Sequence, residues 1–195
     1  MNRRRLILAS SSPRRQSLLR EAGYEFLVQP ADVDEDELTR QSNLPPKEVP
    51  AFLARAKAQK IATRFPDDVI LAADTIVTVD NHVMSKPTDA DDARRILSIL
   101  SGTTNLVITG VVILHGSTTL SDTVVSAVEM KNLSPPEIDA YIATGLWQGK
   151  AGGYGIQDSD PFISKMTGCL TNIVGLPMTT TARLLREAGI QPSKN

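Results

Sequence analysis

The sequence predicts a protein of the α/β class, because strand-like and helix-like segments alternate along its 195 residues. The apolar run 69–79 is the clearest strand, and the segment that follows Thr88 is the clearest amphipathic helix. Two strand-rich runs, 105–114 and 118–132, meet at a short polar turn. A hydrophobic share of 41% and a charged share of 22% are typical of a globular chain with a substantial core.

The first strand leads into a helix through a run of serines. Ser12 suits the N-cap, Pro13 the first helical position and Gly23 the helix end. Arg14 and Arg15 fall in the first turn, where the helix dipole and the free N–H groups already make the surroundings positive. Two interpretations remain open: a phosphate-like anion bound at this helix start, or a solvated arginine pair beside a capping serine.

Residues 24–28 predict a short second strand, and an acidic segment follows it. The carboxylates of this segment are Asp32, Asp34, Glu35, Asp36 and Glu37. They could hold a hard divalent cation through oxygen ligands, or they could form a solvated loop that starts a helix. On the evidence of this segment alone, the second interpretation is favoured.

Pro46 is predicted to open a long helix in which Lys57 interrupts an otherwise apolar face. Leu53 lies one turn before this lysine and Ile61 one turn after it. The ammonium group therefore either extends along its stem towards solvent or reaches a buried anion, and the first arrangement is the commoner one.

The apolar run 69–79 predicts a central strand, and Asp74 stands in its middle. A carboxylate buried there is costly unless it is paired or bound to a metal. Asp74 therefore lies at a bend that opens to a cleft, or is functional, or both, and function is the favoured interpretation. Asp80 and Asn81 predict a hairpin turn, after which Lys86 is a second isolated lysine near the end of the returning strand.

The second half of the chain alternates in the same way. Thr88 is predicted to cap a helix that stops at Gly102, and Ser134 begins a capping box. The glycine-rich segment 147–160 suits either a close backbone approach to a ligand or a flexible turn. Segments around 163–166 and 173–177 predict a last strand pair, and residues 179–188 predict a closing helix.

Charge and composition exclude several classes of function. The net charge of −1, the single Trp and the three Tyr argue against a nucleic-acid-binding surface. Cys169, the only cysteine, excludes an internal disulfide and fits a reducing compartment, so the expected location is the cytoplasm. The apolar run 6–9 is too short for an export signal, and no window approaches the ~20 apolar residues of a membrane span. The oligomeric state stays open, with a homodimer among the alternatives.

The unusual residues together describe a site for a polyphosphate ester. Cations at a helix start and two isolated lysines would hold phosphates, and carboxylates would bind Mg²⁺ or Mn²⁺ and activate water. The sequence contains no P-loop, no dinucleotide-binding glycine pattern and no HExxH motif. Its two histidines lie far from these features and make no convincing zinc site.

The sequence resembles the Maf family of nucleoside triphosphate pyrophosphatases almost from end to end. The resemblance rests on LILASSSPRR from Leu6, VDE from Val33, AKA around Lys57, AADTIV from Ala72, KP at Lys86, LSG ending at Gly102, AGGYGIQ ending at Gln157 and NIVGLP from Asn172. It implies an α/β fold like that of the inosine triphosphate pyrophosphatases, with a long twisted mixed sheet, flanking helices and a cleft between two lobes. It also implies a single domain over 1–195 that cleaves between the α and β phosphates, releasing a nucleoside monophosphate and pyrophosphate.

The same resemblance assigns roles to individual residues. Asp74 would be the catalytic acid/base group, aided by a divalent metal (Mg²⁺ or Mn²⁺) that it holds together with Glu35. The phosphates would be held by Ser12, Arg15, Lys57 and Lys86. This assignment agrees with the chemistry, because a leaving pyrophosphate needs fixed cations and the attacking water needs a carboxylate or a metal. The family usually has a histidine where this chain has Asn105, a departure that concerns a contact near the site rather than the activity.

Three residues point to pyrimidine nucleotides. The chain resembles the dTTP/UTP branch of the family at Arg14, Thr75 and Gln157, whereas the 7-methyl-GTP branch has Trp, Gln and Glu there. A glutamine carboxamide can pair with N3–H and O4 of uracil or thymine, and a flipped amide can also accept cytosine. The expected substrates are therefore dTTP and UTP, with some turnover of CTP or modified uridine nucleotides.

Other classes of function remain as alternatives. The family's association with inhibition of cell septation suggests a nucleotide-binding regulator of cell division without catalysis, beside the expected house-cleaning of nucleotide pools. A kinase or a phosphatase would instead transfer phosphoryl groups or release inorganic phosphate. The identity of the products distinguishes these alternatives.

Overall fold

The computed structural model describes residues 4–156 and 162–193. In chain order the elements are β1 (Leu6–Leu8), α1 (Pro13–Glu21), β2 (Leu27–Val28), α2 (Glu35–Ser42), α3 (Val49–Ala62), β3 (Val69–Val79), β4 (His82–Met84), α4 (Ala90–Leu100), β5 (Thr104–His115), β6 (Thr118–Met130), α5 (Pro135–Ala143), a 3₁₀ turn (Ala151–Gly153), β7 (Ile163–Thr167), α6 (Leu170–Val174) and α7 (Met178–Glu187). Among the helices described, none is long and apolar enough to cross a membrane.

Seven strands form one mixed sheet in the order β2-β1-β3-β5-β6-β7, with β4 paired to β3. β1 is parallel to both β2 and β3. The pairs β3–β4 and β6–β7 are antiparallel. Helices alternate with these strands along the chain, so the predicted α/β class with a mixed sheet is confirmed.

The chain divides into two compact units. Unit 1 consists of 1–74, 109–124 and 175–195, and unit 2 consists of 75–108 and 125–174. In unit 1, apolar side chains of β1 and the first half of β3 pack against α1 and α7 on one side and against α3 on the other. In unit 2, the core joins α4 and α5 with Trp147, Tyr154 and Phe162.

Several local predictions are confirmed. Pro13 begins α1, and the Ser12 side chain accepts a hydrogen bond from the backbone N–H of Arg15 at 3.5 Å. The strand Val69–Val79 has the predicted bounds, and the turn after it places Asp80 and Asn81 in the left-handed region, with φ of 48° and 64°. The acidic segment starts helix α2, the interpretation that the sequence favoured.

Other predictions were wrong in position or in type. The second strand is limited to Leu27–Val28, α3 begins at Val49 rather than at Pro46, and the cap of α4 is Asp89 rather than Thr88. Ser134 does form its capping box at the start of α5.

The last strand pair does not form. β7 pairs with β6, and Leu170–Val174 is a short helix instead of a strand. The physical reason is Asn172, which is fully buried and donates from Nδ2 to the carbonyl of Val107 at 2.9 Å and to Ser126 Oγ at 3.0 Å. A buried amide needs such partners, and the helical turn delivers them.

In unit 1, strand β5 touches the start of α3 at Gly110. A Cβ atom at this position would lie 2.3 Å from the backbone nitrogen of Ala51 and 2.5 Å from the carbonyl carbon of Pro50. Both contacts are to backbone, which cannot swing aside as a flexible side chain can. The missing side chain therefore lets the helix backbone rest directly on the strand.

Candidate active site

The candidate site lies beside the middle of β3, level with the ends of the parallel strands β1 and β2. Leu8 of β1 is level with Val28 of β2 and with Leu71 of β3. The residues that follow β1 and β2 therefore emerge on the same side, as at the carboxyl ends of other parallel strands. They lead to the starts of α1 and α2, while β3 continues past this level to Val79.

Asp74 is buried in β3, three residues beyond the level of Leu71. Only 5% of the residue is exposed. Its Oδ1 atom accepts a hydrogen bond from Lys57 Nζ at 2.6 Å. The carboxylate that the sequence marked as out of place is therefore paired, as a buried charge must be.

Lys57 connects two carboxylates. Helix α3 carries it, and its side chain is only 8% exposed. Besides Asp74, its Nζ atom contacts Glu35 Oε1 at 2.8 Å. Of the two arrangements that the sequence allowed for this lysine, the structure shows the one in which the ammonium reaches a buried anion.

Glu35 is the first residue of α2, whose N-cap is Asp34. Its side chain is 35% exposed, so this carboxylate sits at the outer side of the cluster. The acidic segment thus contributes one carboxylate to the site and a helix cap beside it. A carboxylate in a first helical turn is also favoured by the helix dipole.

Arg15 supplies the second cation. Its Nε atom donates to the carbonyl of Gly175 at 2.8 Å, and its NH1 atom donates to Ser10 Oγ at 3.0 Å. Desolvation lowers the pKa of Arg15 below its ordinary value, while the charges of Asp74 and Glu35 act in the opposite direction. The guanidinium stays charged, because an arginine pKa lies so far above neutral pH.

Ser10 is a site residue that the sequence reasoning missed. It is buried, and its Oγ atom accepts from both the Arg15 guanidinium and the backbone N–H of Ser12, the latter at 3.3 Å. The run of three serines before Pro13 indicated hydroxyl groups near the arginine. Which of the three contacts the guanidinium could not be predicted from the sequence. Ser12 itself is half-buried and caps α1.

The cluster of Arg15, Glu35, Lys57 and Asp74 contains two cations and two carboxylates, so its formal charge is zero. Over the described residues 4–156 and 162–193, no group of three or more His, Cys, Asp or Glu side chains could hold a metal on its own. Two converging carboxylates nevertheless fit Mg²⁺ or Mn²⁺, because Mg²⁺ is usually bound by one or two carboxylates together with waters and substrate phosphates.

The other predicted residues that the structure describes make no contact with this cluster for which it gives a distance. Arg14 is half-buried in the first turn of α1. In unit 2, Thr75 is half-buried in β3 and Lys86 is exposed two residues after β4. Gln157 lies outside the described residues.

Asn105 in unit 2 is fully buried, and its Oδ1 atom accepts a hydrogen bond from Tyr154 Oη at 2.9 Å. Its Nδ2 atom has no hydrogen-bond partner within the part of the chain that the structure describes. Asn105 thus holds the tyrosine of the glycine-rich segment.

Comparison with known proteins gives consistent matches. The family model described as Maf-like protein matches residues 5–188. A protein named dTTP/UTP pyrophosphatase from Cereibacter sphaeroides is 44% identical over 187 residues, with 95% of each chain covered. Proteins of the same name from Koribacter versatilis and Pyrococcus furiosus are 41% and 39% identical, with 95% and 93% of this chain and 95% and 94% of theirs covered. A solved structure titled nucleoside-triphosphatase / dITP/XTP pyrophosphatase from Mycobacterium abscessus has a TM-score of 0.49 and 13% identity, over 94% of both chains.

Proposed function

The chain belongs to the Maf family, and from that premise we propose that it is a nucleoside triphosphate pyrophosphatase that hydrolyses dTTP and UTP. The curated relatives at 39% to 44% identity carry the name of this activity, which favours an enzyme over a regulator without catalysis. One observation carries the proposal: a buried carboxylate, Asp74, lies within hydrogen-bond distance of a buried ammonium and beside an arginine at a helix start.

In the proposed reaction, water attacks the α-phosphorus and the bond between this atom and the bridging oxygen to the β-phosphate breaks. Asp74 accepts the proton of the attacking water. Because Lys57 donates to Oδ1, we assign this proton transfer to Oδ2. The products are a nucleoside monophosphate and pyrophosphate, and the pyrophosphate leaves with the bridging oxygen and the bonding electron pair.

The phosphate groups are bound, in this proposal, by the start of α1 and by lysines. Arg15 is oriented by Gly175 and Ser10, so its charge is fixed before the substrate binds. The α1 N-terminus adds backbone N–H groups and the Ser12 hydroxyl. Lys57 and Lys86 are proposed to contribute further positive charge.

A divalent metal would be held by Glu35 and Asp74 together with the substrate phosphates. When bound, Mg²⁺ or Mn²⁺ supplies charge neutralisation at the phosphate oxygens and lowers the pKa of a coordinated water. The carboxylates suit these hard cations because their ligand atoms are oxygens.

Base selection is assigned to three residues that do not take part in the chemistry. Arg14, Thr75 and Gln157 are proposed to recognise the pyrimidine, with the carboxamide of Gln157 pairing to N3–H and O4 of uracil or thymine. CTP or modified uridine nucleotides would be weaker substrates, because the amide must flip or lose a hydrogen bond to accommodate them.

We further propose that the two units act as one domain over 1–195, since the family model covers residues 5–188. The enzyme would work on free nucleotides in the cytoplasm, without nucleic acid or membrane, and as a monomer or a homodimer. Its single cysteine and near-neutral charge support this environment.

The decisive experiment is product analysis with UTP and dTTP in the presence of Mg²⁺ or Mn²⁺. We expect UMP or dTMP and pyrophosphate in equal amounts, with purine triphosphates hydrolysed more slowly. Release of UDP with inorganic phosphate would identify a phosphatase and refute the proposal. Binding of UTP with no product would favour the nucleotide-binding regulator.

A further inference from the structure

The ammonium of Lys57 touches both carboxylates that would bind a metal. Its Nζ atom lies 2.6 Å from Asp74 Oδ1 and 2.8 Å from Glu35 Oε1. The side chains of Lys57 and Asp74 are each 8% exposed, so water screens this contact little. The lysine thus already neutralises part of the charge that would attract a cation.

The balance of charge around these carboxylates disfavours a free metal ion. Arg15 lies near enough to interact electrostatically with both carboxylates, and together with Lys57 it cancels their charge. A divalent cation that enters alone would therefore place its charge beside two fixed cations. A metal that arrives with a triphosphate meets the opposite situation, because the phosphates carry more negative charge than the metal carries positive.

We propose that Lys57 is a built-in counter-ion that prevents Glu35 and Asp74 from binding a divalent cation until the nucleoside triphosphate is present. Metal binding and nucleotide binding are then coupled, and the metal–nucleotide complex is the species that the protein binds. This inference rests on the proposed function, because the nucleotide supplies the remaining metal ligands. It gives Lys57 a role between the carboxylates, in addition to any contact with phosphate.

The test is a titration with Mn²⁺, with and without α,β-methylene-UTP, whose α–β bridge resists cleavage. Calorimetry gives the dissociation constant, and electron paramagnetic resonance gives the free Mn²⁺ concentration. For the wild-type protein we expect weak binding of Mn²⁺ alone and binding at least about tenfold tighter with the analogue. Equal affinity for Mn²⁺ in both conditions would overturn the proposal.

The Lys57→Met variant tests the role of the ammonium directly. Without it the cluster is net negative, so we expect Mn²⁺ alone to bind at least about tenfold more tightly than to the wild-type protein. Lys60→Met is the matched control, because it removes the same charge from the exposed side of the same helix and should leave Mn²⁺ affinity unchanged. No gain in affinity at Lys57→Met, or an equal gain at Lys60→Met, would refute the idea.

Thermal unfolding keeps the test informative if the variant is unstable. Without metal, Lys57→Met should have a lower melting temperature than the wild-type protein. Addition of Mn²⁺ should raise the melting temperature of the variant towards the wild-type value, because a ligand that binds only the native state stabilises that state. Lys57→Arg, which keeps the charge, should show no such dependence on Mn²⁺. A Lys57→Met protein that Mn²⁺ does not stabilise contradicts the proposal.

The outcome is separable from that of the proposed function. Pyrophosphate release from UTP tests the reaction, whereas the Mn²⁺ titrations require no turnover. A protein that releases pyrophosphate but binds Mn²⁺ equally with and without the analogue refutes only the role of Lys57. One that couples Mn²⁺ to the analogue without releasing pyrophosphate refutes only the reaction.

Discussion

Replacement of Asp74 by asparagine preserves the shape of the side chain and removes the charge on which the proposed chemistry depends. If Asp74 accepts the proton of the attacking water, kcat for UTP should fall by roughly 10² to 10⁴, the range typical of a lost general base. KM should change much less, because the α1 groups that we propose to bind the phosphates remain in place. Pyrophosphate release measured over a range of UTP concentrations separates the two constants.

The structure also sets the expected change in stability. From the sequence alone, removal of a buried charge should leave stability unchanged or raise it. Asp74 is instead paired with Lys57, and loss of one partner of a buried ion pair typically costs about 3 to 5 kcal/mol. Lys57 keeps Glu35 as a partner, and the amide oxygen of asparagine still accepts a hydrogen bond, so we expect a loss of about 1 to 3 kcal/mol in the free energy of unfolding. Urea denaturation measures this quantity.

Asp68→Asn provides the matched control for this prediction. Asp68 is also buried in unit 1, and its carboxylate is held by Arg5 at 2.6 Å, but it lies just before the first residue of β3, whereas Asp74 stands in the middle of that strand. This variant should lose stability and keep its turnover per folded molecule. Near wild-type kcat in Asp74→Asn, or an equal loss of kcat in Asp68→Asn, would refute the assignment of Asp74.

Three further predictions concern Arg15, Asp68 and Gln157. Arg15→Lys keeps the charge but loses the planar donor group that binds Gly175, so turnover should fall about tenfold to a hundredfold, and wild-type turnover would contradict the assignment. The hydrogen bond from Arg5 lowers the pKa of Asp68, so this pair stabilises the protein above about pH 4. The difference in melting temperature between the wild-type protein and Asp68→Asn should therefore shrink as the pH falls below this value. A difference that stays constant would refute the stabilising role of the pair. Gln157→Glu should reduce turnover of dTTP and UTP more than that of a 7-methylguanine nucleotide, and one common factor for all substrates would place Gln157 in the chemistry.

The sequence was most informative where a local rule was broken. A carboxylate in an apolar strand and two arginines in a first helical turn indicated that Asp74 and Arg15 need partners, because both patterns are costly without one. That Lys57 is the partner of Asp74 could not be predicted, because the two residues are 17 positions apart in the chain. In addition, a lysine on an apolar helix face more commonly extends towards solvent than towards a buried anion.

Non-local hydrogen bonds explain the other differences. Residues 173–177 have the composition of a strand, but the neighbouring Asn172 finds buried acceptors 65 and 46 residues away and forms a helical turn. Ser10 and Ser12 are chemically identical in the sequence. In the folded chain, Ser10 accepts a hydrogen bond from the Arg15 guanidinium, whereas Ser12 caps the start of α1.

Gly110, the glycine of β5 on which the start of α3 packs, affects the distance between the charged groups of the cluster. Lys57 lies six residues along the helix from Ala51, about 9 Å at 1.5 Å per residue, so the helix transmits any displacement of its first turn as a nearly rigid rod. A methyl group at Gly110 would have to push that turn outwards, since the space in front of it is filled by backbone. A shift of about 1 Å would be enough to lengthen the 2.6 Å contact between Lys57 and Asp74 beyond hydrogen-bond range. A residue with no side chain thus sets the distance between the lysine and the carboxylate to which it donates.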